Sequence, residues 1–316
     1  MHMKKFYRNL FFLVLIVAVI FAALDFLSTR GYTREIFAKL TDSEEYFVNN
    51  GPDTVNPIIR KVQKEDGTKV LILGDSVASQ LFNDLSDNNP DILILPGNAG
   101  VTIAGQYVIA KEYLEHHPDA TDIYLFVLPE SLGRTFDTKW GYQYAVLPFV
   151  ETDTLGDFDD NTVQIMEKTY GSLFLNKTVA TLVDQSGINR KLYLNYLRDR
   201  SEGYIPENYY EIADQYLVKL EMLCREKGVK LSLIPCPVSE VKREQIAALE
   251  SDYKDTATYR IFPQYYHMIS YYPAECFGDD THFSKEYRSR EYLDSVIIDM
   301  LDGTELLNML KLSQIQ

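Results

Sequence analysis

Three groups in this 316-residue chain stand where serine chemistry would need them. Gly74-Asp75-Ser76 follows directly on the apolar run KVLILG at 69–74. A serine at the carboxyl end of a strand is exposed at the edge where α/β sheets hold ligands, and a preceding glycine permits a tight turn there. Toward the other end comes Asp279-Asp280-Thr281-His282. A serine nucleophile needs an imidazole to take its proton and a carboxylate to orient the ring, and Ser, Asp, His is one of several chain orders that supply them. The three-residue gap from Asp279 to His282 lets both side chains come from one loop, with Asp280 a competing choice of carboxylate. Of the five histidines, His2 lies near the start and His116 and His117 close a helix before Pro118, so His267 is the one rival base. Gly-Asp-Ser alone is an ordinary turn. Its place after a strand is what gives it weight.

Positioning these groups falls to a set of short apolar runs. After 69–74 come DILILP at 91–96, DIYLFVLP at 122–129 and VKLSLIP at 229–235. Continuous rather than alternating hydrophobicity predicts strands covered on both faces, as in a parallel sheet. Helical spacing links Ile103, Tyr107, Val108 and Leu114, and again Ile212, Tyr216, Leu220 and Leu223. A last amphipathic helix carries Tyr292, Leu293, Val296, Ile297 and Met300, with Ser284 as its expected start. Alternating strands and helices predict a layered α/β domain. Nearly 100 residues separate the third and fourth strands, too many for a plain crossover. Residues 131–206 are therefore expected to form an insertion or lid, in which Trp140 and Tyr142 either contact substrate or pack the insertion.

Charge divides the chain. It holds 31 Lys and Arg against 46 Asp and Glu, for a net charge of −15. Residues 1–30 carry Lys4, Lys5, Arg8 and Arg30 against Asp25, which leaves −18 on the remainder. So acidic a body argues against nucleic acid as a partner, because phosphates need a basic surface to replace their counterions. From Leu10 to Leu24 every residue is apolar, and the run resumes after Asp25 through Phe26 and Leu27. At about 1.5 Å per residue, these 18 positions nearly match a ~30 Å hydrocarbon core. The expected organisation is a cytoplasmic tail at 1–9, a transmembrane helix at 10–27 and a stalk and lead-in at 28–66. The catalytic domain follows at 67–130 and 207–316, outside the cell. A cleaved signal peptide is the competing reading, with Ala22-Ala23-Leu24 a poor cleavage site. Cys224, Cys236 and Cys276 form no CxxC pair and no cluster with His. No metal or other cofactor is expected, and Cys236 reads as a buried apolar residue.

On these motifs the chain resembles the SGNH, or GDSL-type, hydrolase and acyltransferase superfamily. Gly74-Asp75-Ser76 resembles its first block, Asn98-Ala99-Gly100 with Gly105 its second, and Asp279-x-x-His282 its last. The resemblance implies a three-layer α/β sandwich around a central, mostly parallel sheet. It also implies Ser76 as nucleophile, Asp279 steering His282, and the N–H groups of Ser76 and Gly100 as an oxyanion hole. Where the family presents Gly-x-Asn-Asp after its third strand, this chain has Leu128-Pro129-Glu130-Ser131. Glu130 would repel an oxyanion unless protonated or turned away, which leaves Ser131 and Asn98 as substitute contacts to an oxyanion or substrate.

This departure, together with the N-terminal run, resembles the anchored branch that includes the teichoic acid D-alanylation and alginate acetylation proteins. That likeness implies a membrane-anchored O-acyltransferase working through an acyl-serine on an exported polysaccharide, beside a multi-pass membrane acyltransferase. An esterase of the same fold and a tethered, non-enzymatic adaptor with a degenerate site are the alternatives. The acidic body suits a neutral glycan. An anionic polymer would need a basic patch, for which Arg190, Lys191, Arg198 and Arg200 are the candidates.

Overall fold

A computed structural model describes residues 2–28, 56–85, 89–97, 102–133, 149, 154–170, 211–310 and 312. Its first element, α1 (His2–Ser28), is a 27-residue helix. Even so, no helix among the described residues is long and apolar enough to cross a membrane. Lys4, Lys5 and Arg8 lie near the start of α1. The side chains of Phe21 and of 24–28 lie outside the described residues. The expected transmembrane helix is corrected on this finding, and with it the single-pass topology, the cytoplasmic tail, the extracellular placement and the membrane as a partner.

The four apolar runs form the strands β1 (Val70–Gly74), β2 (Ile92–Ile94), β3 (Asp122–Val127) and β4 (Lys230–Pro235). They make one parallel sheet in the order β2-β1-β3-β4, with Val70 opposite both Ile92 and Asp122 and with Asp122 opposite Lys230. Between β1 and β2 runs α2 (Ser76–Phe82), and between β2 and β3 runs α3 (Ile103–His116). The first crossover steps one way along the sheet and the second steps back, so right-handed connections put the two helices on opposite faces. This explains why all five residues of β1 are buried. A parallel strand packed between helices has no solvent face, hence its continuous apolar run.

Four further helices complete the frame: α4 (Pro129–Leu132), α5 (Asp160–Tyr170), α6 (Glu211–Lys227) and α7 (Arg243–Tyr253). The long α6 lies against α3 and β4, burying Ile212, Tyr216, Leu217 and Leu220 on one stripe. A short parallel pair, β5 (Val238–Ser239) and β6 (Tyr271–Tyr272), follows the main sheet. The last amphipathic helix, α8 (Arg290–Leu301), packs against α2. It starts five residues later than expected, because Ser289 rather than Ser284 caps it by accepting from the Tyr292 N–H. Residues 285–287 instead form a separate 3₁₀ turn.

Ile59 and Val62, from the expected lead-in, are buried in the same core as the sheet. Of the expected insertion, 131–133, 149 and 154–170 are described, and Phe149, Phe158 and Met166 are buried there.

Candidate active site

The nucleophile side is built on a turn that only glycine permits. A Cβ on Gly74 would lie 2.3 Å from the Phe126 carbonyl oxygen and 2.5 Å from the Ala78 Cβ. With hydrogen there instead, β1 runs close along β3 and turns at once into α2. Asp75 sits in extended conformation as the cap of α2, its Oδ1 accepting from the N–H groups of Val77 at 3.0 Å and Ala78 at 3.4 Å. Its Oδ2 accepts from the Leu128 N–H at 2.7 Å and from the Ser131 hydroxyl at 2.9 Å. Asp75 is 2% exposed. A buried carboxylate so placed needs several donors, and Asp75 receives them from two segments of chain. The Cys236 thiol, 3.8 Å from Oδ1, adds a weak one. Burial and the neighbouring carboxylate push that thiol well above its ordinary value, so it stays protonated and inert.

This frame places Ser76 at the head of α2, half-buried at the carboxyl edge of β1. Tyr265 braces the neighbouring strand end from beneath, its buried hydroxyl donating to the Val127 carbonyl at 2.8 Å.

The base side is a closed loop. Phe277 and Phe283 pair as an antiparallel bridge, and the Gly278 N–H donates to the His282 carbonyl at 2.9 Å. Inside this loop the Asp279 carboxylate accepts from the backbone N–H of His282 at 2.7 Å and of Thr281 at 3.2 Å. Asp280 takes a positive φ of 59°, which tightens the turn. Asp279 also stands 2.8 Å from His282 Nδ1. With Nδ1–H donating to Asp279, Nε2 is the ring acceptor, and it lies 2.7 Å from Ser76 Oγ. Partial burial alone would raise the Asp279 carboxyl, but the bonds from the His282 N–H and ring hold it below the usual carboxylate range. Gln80 ties the loop to α2, its Oε1 accepting from the Phe283 N–H at 3.0 Å.

The structure thus brings Ser76, Asp279 and His282 together across a sequence separation of 206 residues, as a hydrogen-bonded Ser–His pair backed by a carboxylate. His267, the rival base, is exposed on a 3₁₀ turn. Ser131 is buried and its hydroxyl proton is directed to Asp75. Glu130 does not stand alone, because Lys242 Nζ lies 2.9 Å from its Oε1. Asn98, Gly100, Trp140 and Tyr142 lie outside the described residues, as do Arg190, Lys191, Arg198 and Arg200. All three cysteines are free and buried. Among the described residues no cluster of His, Cys, Asp and Glu could hold a metal ion.

Sequence reasoning missed two participants. Asp75 had a local signal, since an aspartate just before a helix is a cap, but its bonds to Leu128 and Ser131 come from 53 and 56 residues away. Lys242 had none.

No known protein family matches the chain, and no curated protein sequence matches it. The assignment to the SGNH or GDSL-type superfamily, and to its membrane-anchored branch above all, is withdrawn together with the membrane helix that defined the branch. The exported polysaccharide and the multi-pass acyltransferase entered only through that branch, and no finding supports either as a partner. What stands is an α/β fold with a small parallel sheet and a Ser76–His282 hydrogen bond of the kind a catalytic serine uses.

Proposed function

We propose that this protein is a serine-dependent acyl-transfer enzyme, an esterase or acyltransferase. One observation carries the reading: Ser76 Oγ lies 2.7 Å from His282 Nε2 while Asp279 engages the opposite ring nitrogen. In the proposed reaction Ser76 Oγ attacks the carbonyl carbon of an ester and its proton passes to Nε2. The imidazolium, stabilised by Asp279, then protonates the departing alkoxide. This leaves an acyl-serine; a water or another hydroxyl attacks it while giving its proton to the same nitrogen, the Oγ–acyl bond breaks, and that proton returns to Ser76 Oγ. The backbone N–H of Ser76 is the candidate oxyanion donor within this step. Hydrolysis and transfer share the first half and differ only in which hydroxyl reaches the acyl-serine.

The full chain incubated with p-nitrophenyl acetate should release nitrophenolate, and a fluorophosphonate should add its phosphonyl mass at Ser76. Ser76→Ala should abolish the adduct, and His282→Ala should slow both reactions by about 10³-fold or more. A wild-type chain that neither turns over the ester nor takes the label would overturn the proposal. Added alcohols then separate transfer from hydrolysis by product mass.

A further inference from the structure

Lys242 joins the two halves of the site. Its Nζ donates to Glu130 Oε1 at 2.9 Å and to Thr281 Oγ1 at 2.7 Å. These partners are 112 and 39 residues away in sequence. Glu130 stands in α4, next to the Ser131 that bonds Asp75, while Thr281 directly precedes His282. The pair is well sheltered, with the Lys242 side chain 16% exposed and that of Glu130 18%.

The contrast with the loop it holds is informative. The side chains of Asp279 and His282 are 61% and 33% exposed, and the bonds of Asp279 are all to its own loop. Phe277 and Phe283 root the foot of this loop in the core, while the tip that carries Asp279 and His282 can be well formed within itself and still stand off from Ser76. Among the described residues, the long-range side-chain ties to 279–283 are Ser76 itself, Gln80 at Phe283, and Lys242 at Thr281. Lys242 also answers the charge of Glu130, whose other oxygen is buried without a hydrogen-bond partner among the described residues. Unanswered, that carboxylate would place a negative charge near the sheet edge where an oxyanion forms.

We infer that Lys242 is a positioning residue: it straps the His282 loop to the sheet edge through Thr281 and neutralises Glu130. The inference rests on the proposed acyl-transfer reading. It makes Lys242 act through His282 rather than on substrate, so its removal affects kcat far more than KM. A displacement of about 1 Å between base and nucleophile is enough for an effect near 10²-fold.

The test compares the full chain with Lys242→Met, Lys242→Arg and Thr281→Val, the last of which cuts the strap while leaving the Lys242–Glu130 pair intact. Three quantities are read: fluorophosphonate addition at Ser76, ester turnover as kcat and KM, and the His282 ring resonances by NMR. Lys242→Met should slow addition and kcat by about 10- to 100-fold with KM within about 2-fold, and should displace the His282 ring resonances. Lys242→Arg should recover most of the rate. Thr281→Val should slow addition and displace the same resonances, and it serves if Lys242→Met does not fold. Wild-type rates in both Lys242→Met and Thr281→Val would overturn the strap, whatever the function. An inert wild-type chain would instead defeat the acyl-transfer reading. In that case unchanged His282 ring resonances in both Lys242→Met and Thr281→Val overturn this inference separately.

Discussion

The two halves of the site are built in opposite ways. Ser76 follows a carboxylate that is 2% exposed and is held by donors from α2, from the end of β3 and from α4. His282 rides on a surface loop whose own carboxylate is 61% exposed and whose order comes mostly from bonds between neighbours in sequence. Residues that place the nucleophile are therefore also residues that hold the sheet together. The loop that places the base enters the core only at its foot, through Phe277 and Phe283, and its tip stands outside. Damage on the first side should appear as unfolding, and damage on the second as lost chemistry in a folded protein.

The sharpest test of this contrast is His282→Ala. Activity should fall by about 10⁴-fold, equivalent to about 5 kcal/mol of transition-state stabilisation, with the melting temperature nearly unchanged. A large drop in melting temperature would break the comparison.

Asp75→Ala should do the reverse. It removes a cap worth about 1 kcal/mol. It also strands the buried Leu128 N–H and Ser131 hydroxyl, at about 1–3 kcal/mol each. The expected loss is about 4 kcal/mol by urea denaturation, with activity vanishing in proportion to unfolding. Gly74→Ala belongs to the same class, because the new Cβ meets the Phe126 carbonyl and the Ala78 side chain. About 3 kcal/mol should be lost there.

Asp279→Asn should slow ester turnover by up to about 10⁴-fold, near 5 kcal/mol, while moving the denaturation midpoint only slightly. The smallest effect concerns acid. The Asp279 carboxyl titrates below its ordinary value in the folded chain. Its contribution to stability is therefore present above about pH 4 and is lost as pH falls through the lowered folded value. Because the group is exposed, water screens that contribution to under about 0.5 kcal/mol. Denaturation midpoints of wild type and Asp279→Asn, measured from pH 6 to pH 2.5, should converge by no more than this amount as acid is added.

Much of the frame is legible in the amino-acid sequence. The four apolar runs are the four strands, since a strand buried on both faces must be apolar throughout. The Asp279-x-x-His282 spacing closes into one loop because its bonds span only two or three residues. The position of α8 shows where such reading slips. Ser284 and Ser289 are both plausible caps, and the choice of Ser289 goes with an antiparallel bridge at Phe283 that keeps the chain just before Ser284 out of helix. The N-terminal run shows another limit. Fifteen consecutive apolar residues suggest a membrane span, yet no helix among the described residues is long and apolar enough to be one.

The sequence by itself determined the elements: which runs are strands, which spacing is helical, where a glycine admits a turn, and which serine, aspartate and histidine are candidates. Each of these follows from forces acting over a few residues. Tertiary structure alone decided how the candidates are used. Strand order brought β3 beside β1, and so delivered the Leu128 N–H and the Ser131 hydroxyl to Asp75. The same packing took Ser131 away from the open site and gave Glu130 a lysine partner. It also set Ser76 against His282. Such pairings depend on which distant segments pack together, and no local pattern of residues encodes that.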